Sequence, residues 1–120
     1  MALCIRKTIH YRMVASLLLM AFAMPASVLA DDRNPAYRLG AFSGAMKYCE
    51  ERYDEKSVRY GLARLRVAKE VDNFSGKEKL VALTGRDRAY NRGQFLGNRL
   101  NRNECRALLR MGEWKRFFAD

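Results

Sequence analysis

The stretch NPAYRLGAFSGAMKYCEERY, residues 34–53, decides the fold class. Asn34 is a residue type that caps helix N-termini, and Pro35 suits a first helical position, where its missing N–H costs nothing. Apolar residues then recur at Leu39, Phe42, Met46, Cys49 and Tyr53, spaced three, four, three, four. That spacing places them on one face of an α-helix directed at a core. Ala36, Gly40 and Gly44 line an adjacent stripe of small residues where a second helix can approach closely. Glycine lowers helix propensity, so this helix depends on tertiary packing.

Downstream, a second helix is expected from Asp54 or Ser57 to Asp72. Val58, Leu62 and Leu65 form its inner face, continued less regularly by Ala68, Val71 and Phe74. Asp54 is read as a helix cap. Ser75-Gly76-Lys77-Glu78 has a capping-box pattern and opens a third helix through Leu80, Leu83 and Tyr90 towards Leu100. Ala82, Gly85, Ala89, Gly93 and Gly97 form a second close-packing seam, with Tyr90 directed inward. A short fourth helix starts after Asn101 or Asn103 and carries Cys105, Leu108, Leu109 and Met111 up to Gly112. No window alternates with period two, so no strand is expected. The fold expected is all-α, a small bundle of about four helices.

Upstream, residues 1–30 read as a cleavable signal peptide. Arg6, Lys7 and Arg12 precede the apolar run MVASLLLMAFAM (13–24), and Val28 and Ala30 occupy the small-residue positions before a cleavage point. The run spans about 18 Å as a helix, against a hydrocarbon layer of about 30 Å. The working molecule is then a single domain, residues 31–120, in the periplasm or secreted, with no transmembrane segment. It keeps 20 Lys+Arg against 13 Asp+Glu, a formal charge of +7, and 14 of those bases are Arg. It also keeps two of the three cysteines, Cys49 and Cys105. An even number in an oxidising compartment favours a Cys49–Cys105 disulfide.

Tyr48-Cys49 at the end of the first helix, then Ala89-Tyr90-Asn91-Arg92-Gly93, then Cys105, resembles a family of small exported helical proteins of alphaproteobacteria that has no assigned activity. In that family an aromatic-Asn-Arg-Gly segment precedes the second cysteine at nearly this distance. Here Gln94 stands where an aromatic is expected, and the spacing to Cys105 is one residue longer. The resemblance implies a helical, single-disulfide protein of the periplasm and carries no catalytic residue.

The composition leaves little for catalysis. His10 is the sole histidine and lies within residues 1–30, so the mature chain has no Ser–His or Cys–His pair. No metal or other cofactor is expected: the two cysteines pair with each other, and no Asp-rich loop has calcium-ligand spacing. Glu50, Glu51, Asp54 and Glu55 are the only carboxylate cluster on which a cell-wall glycan hydrolase could rest, and they read more simply as a solvated turn. Catalytic residues: none are expected.

The basic residues are more suggestive. Arg86, Arg88, Arg92, Arg99, Arg102, Arg106 and Arg110 crowd the second half, and Arg92, Arg99, Arg102 and Arg106 share a side if the break near Asn101 is mild. Arginine pairs bidentately with phosphate and carboxylate. The partner class expected is an anionic envelope component, such as lipopolysaccharide or acidic polysaccharide, or an acidic protein. Export sets nucleic acid aside. A host-directed secreted factor is the alternative. Trp114, Phe117 and Phe118 either close the core or contact a partner or membrane surface.

Overall fold

The computed structural model describes residues 32–118, and the expected export signal, residues 1–30, lies outside them. The first helix, α1 (Pro35–Arg52), starts where the sequence places it. Asn34 Oδ1 accepts hydrogen bonds from the amides of Ala36 at 2.9 Å and Tyr37 at 3.2 Å. Leu39, Phe42, Met46 and Cys49 are all buried, and so are the small residues beside them. A helix apolar on so many sides must be covered on several. Indeed α1 packs against α2 (Ser57–Val71), α3 (Gly76–Arg92), α4 (Arg102–Leu108) and the first strand of a short hairpin.

The first small-residue stripe and the Ala82–Gly85 part of the second are two halves of one seam, whereas Gly97 lies in a turn with open space around it and Gly93 meets only the Tyr48 side chain. A Cβ on Gly40 would fall on the carbonyl of Ala82, one on Gly44 on the carbonyl of Arg86, and one on Gly85 on the carbonyl of Tyr37. The backbones of α1 and α3 are therefore in direct contact, which only glycine permits at these positions.

On α2 the expected inner face is corrected. Tyr60, Ala63 and Val67 are buried, whereas Val58 is 81% exposed, Leu65 61% and Leu62 40%. Both sets repeat at helical spacing, so periodicity alone does not choose between them. Ala63 lets α2 settle close to α1, and Tyr60 is the largest fully buried side chain. A 3-10 turn (Asp54–Lys56) precedes α2, and Asp54 makes no side-chain cap for either element.

On α3, Ser75 Oγ accepts from the amide of Glu78 at 3.3 Å, as the capping pattern expects, and donates to the Glu78 carboxylate at 3.0 Å. The helix then stops at Arg92, eight residues before the expected Leu100. Gly93 adopts a left-handed backbone at φ 61° and ends it. The chain then turns back on itself in a hairpin, β1 (Gln94–Phe95) paired antiparallel with β2 (Asn98–Arg99), a small exception to the all-helical expectation. Its turn holds Leu96 at φ 47° and Gly97 at φ 89°, positive at both central residues as a type I′ turn requires. Phe95 and Leu100, on either side of the turn, enter the core. Asn101 Oδ1 then caps α4, accepting from Glu104 N at 2.8 Å.

The sulfur atoms of Cys49 and Cys105 sit at bonding distance, with Cα atoms 5.9 Å apart, joining the end of α1 to α4. A final 3-10 segment (Gly112–Phe117) lays Trp114 and Phe117 on α1. The Trp114 ring stacks on Phe42 with centroids 4.4 Å apart.

Candidate functional site

The basic residues divide among separate regions of the surface. Arg86 and Arg92 are exposed on α3 and Arg88 is half-buried there; Arg99 lies on β2, Arg102 and Arg106 on α4, and Arg110 just beyond it. Because α3 ends at Arg92 and a hairpin intervenes, Arg92, Arg99, Arg102 and Arg106 do not lie along one continued helix, as a mild break would have had them. Arg86 pairs with its neighbour Asp87 at 3.2 Å. The Arg102 guanidinium sits 5.6 Å from the centroid of the Tyr53 ring.

Arg106 and Arg110 do come together, with two bases that the sequence pattern did not single out. Lys56, the last residue of the 3-10 turn, and Arg59, in the first turn of α2, face them across an open cleft of about 510 Å³, also lined by Glu55 and Leu109. Glu55 is already engaged: its Oε1 accepts from Arg106 Nε at 2.7 Å. The side chains of Lys56, Arg59 and Arg110 have no ion-pair partner among the described residues. The Cys49–Cys105 bridge is what brings the two halves side by side, since Lys56 lies shortly after one cysteine and Arg106 directly after the other. That pairing was the available signal for Lys56 and Arg59.

The carboxylates considered for catalysis are mostly in structural contacts. Glu50 Oε2 lies 3.1 Å from Arg64 Nη2, and Glu51 accepts a 2.6 Å hydrogen bond from Tyr90 Oη. That bond to Glu51 raises the Tyr90 pKa. Tyr90 is half-buried rather than fully inward, with Lys47 Nζ 4.6 Å from its ring centroid. Gly93 is doubly constrained: besides its left-handed backbone, a Cβ there would lie 2.9 Å from the Tyr48 ring.

The aromatic cluster is turned inward. Trp114 is 2% exposed and Phe117 3%, while Phe118 is half-buried with its ring edge against Phe42. As core residues, Trp114 and Phe117 do not present the partner or membrane contact that was the other expectation for them. Among the described residues no helix is long and apolar enough to cross a membrane, and no group of three His, Cys, Asp or Glu side chains is placed to hold a metal ion.

No protein-family model, curated protein or solved structure matches the chain.

Proposed function

We propose that this protein is a non-enzymatic binding protein of the cell envelope, exported to the periplasm, that holds an anionic envelope component or an acidic protein through its basic surface. The observation that carries the reading is the cleft of Lys56, Arg59, Arg106 and Arg110, four cations from two distant parts of the chain around one carboxylate that Arg106 already occupies. Guanidinium groups bind phosphate and carboxylate through two parallel hydrogen bonds, and convergence of several gives geometric selectivity beyond simple charge attraction. Concave, like-charged walls also concentrate the field and steer an anion inward. Lipopolysaccharide phosphates and acidic polysaccharides supply that chemistry in the proposed compartment.

The test is direct. The full chain is titrated at low salt with purified lipopolysaccharide and with an acidic polysaccharide. Saturable binding that drops at least tenfold in an Arg59→Ala/Arg110→Ala double variant supports the reading. Binding that the double variant leaves unchanged, or absence of binding to every anion tried, ends it.

A further inference from the structure

Both α2 and α3 lie against α1, yet they share no extended contact with each other. Between them runs an open groove floored by Gly40, Ser43 and Lys47 of α1. It consists of two adjoining hollows of about 280 and 440 Å³ that share Ser43, Ala68 and Arg86. Along α3 the groove extends from Lys79 to Tyr90, about 16 Å at 1.5 Å per residue, or three helical turns. Its walls are apolar where they are deepest: Val67, Ala68 and Val71 face Ala82 and Leu83. Leu65 and Leu83, at the two lips, are 61% and 39% exposed. Three helices thus bound a groove with an exposed apolar residue at each lip. Helices pack at axial separations of 8–10 Å, and apolar lips on both sides are what an added helix would cover.

Charge indicates what kind of helix fits. Of the four cations that line the groove, Arg64 is paired with Glu50 at 3.1 Å and Arg86 with Asp87 at 3.2 Å, which leaves Lys47 and Lys79 against the single carboxylate of Asp72. A second copy is a poor occupant. The largest share of its exposed apolar residues lies on α2, whose Arg59 and Lys69 would bring further cations to a groove that already holds Lys47 and Lys79. An apolar face flanked by acidic residues complements both the walls and the rim. We propose that the groove between α2 and α3 seats an amphipathic, acidic helix of a partner protein. This site is separate from the cleft of Lys56 and Arg110 and does not depend on the function proposed for that cleft.

The probe is a dye-labelled synthetic helix of about 18 residues, long enough to be helical when bound, with leucines on one face and glutamates flanking them. A matched peptide carries lysine for every glutamate. Fluorescence anisotropy with the full chain is expected to show saturable binding of the Glu peptide, at least about tenfold tighter than the Lys peptide. Ala68→Trp, which fills the groove from an exposed position, and Leu83→Gln, on its lip, are each expected to weaken binding at least tenfold with circular dichroism unchanged. Arg59→Ala/Arg110→Ala is expected to leave it intact. The proposal is overturned by equal binding of the two peptides, by no binding at low salt, or by binding that survives Ala68→Trp. Loss of binding in the Arg59/Arg110 double variant instead moves the peptide to the cleft and overturns the groove. Displacement of the peptide by dodecanoate, with saturable dodecanoate binding of its own, would make the groove a lipid site. Sedimentation showing a dimer abolished by Ala68→Trp would make it a self-interface.

Discussion

Gly40 and Ala82 meet backbone to backbone: there is no room for one carbon atom between the Cα of the first and the carbonyl of the second. The obstruction is main chain, not the flexible end of a side chain, so it cannot swing aside. Gly40→Ala is expected to destabilise the fold by at least about 3 kcal/mol, the upper range for overpacking. Gly76→Ala, at a position with open space around it, is the control expected to leave stability nearly unchanged. Urea denaturation followed by circular dichroism distinguishes them.

Removing the bridge between Cys49 and Cys105, by reduction or by a Cys49→Ser/Cys105→Ser variant, is expected to cost about 4 kcal/mol for a sequence separation of 56 residues in the chain-entropy model. The same change should weaken anion binding at the cleft more than Arg92→Ala does, because the bridge is what holds Arg106 and Arg110 opposite Lys56 and Arg59. Denaturant midpoints and a binding titration on one preparation, oxidised and reduced, read both effects.

Trp114 closes the core against Phe42, and its indole nitrogen is buried without a hydrogen-bond partner among the described residues. Trp114→Ala should cost about 3–5 kcal/mol as a cavity in the core. Trp114→Phe should cost far less, because it keeps an aromatic stack and removes the unpaired donor. A Phe variant as unstable as the Ala variant would contradict this account.

Alkaline pH acts through Tyr60. Burial, and next the nearby Glu55 carboxylate, raise its pKa above the ordinary 10.0. The folded state therefore holds this proton more tightly than the unfolded chain. The stability it contributes is present in full below about pH 10 and is lost as pH rises through the folded value. Melting temperature is expected to fall along that limb, and Tyr60→Phe is expected to flatten it.

Anion binding at the cleft should weaken steeply with salt. The Debye length shrinks from about 30 Å at 0.01 M to about 8 Å at 0.15 M, and the lining cations are solvent-facing. A titration series is expected to lose most of its salt slope in the Arg59→Ala/Arg110→Ala variant. A slope unchanged by that substitution would assign the salt effect to the rest of the surface.

Much of this molecule is legible in its residues, and the failures have identifiable causes. The first helix announces itself through Asn34-Pro35 and its spacing, and Gly40, Gly44 and Gly85 read as close approach before their pairing is known, though Gly97, grouped with them by spacing, makes none. The second helix misleads because Val58, Leu62 and Leu65 are more apolar than Tyr60, Ala63 and Val67, while burial on a nearby helix rewards fit. The hairpin is hidden because it requires Leu96 in a left-handed conformation that the residue itself disfavours. Burial of Phe95 and Leu100 on either side of the turn holds it there. The cleft escapes for a different reason: Lys56 and Arg59 are about fifty residues from Arg106, and only the cysteine pairing links them.

The central position of α1 also bears on how the chain reaches this structure. Arg38 near its start is hydrogen-bonded to Glu113 across 75 residues, at 2.9 and 2.7 Å, close to where Trp114 covers Phe42. Contacts that remote form only after long loops close, which slows folding relative to helical proteins built from neighbouring contacts. An oxidised Cys49–Cys105 pair, at a separation of 56, shortens the loop still to be closed. Refolding is therefore expected to run faster with the pair already joined, which would make the thiol state of the chain a determinant of its folding time.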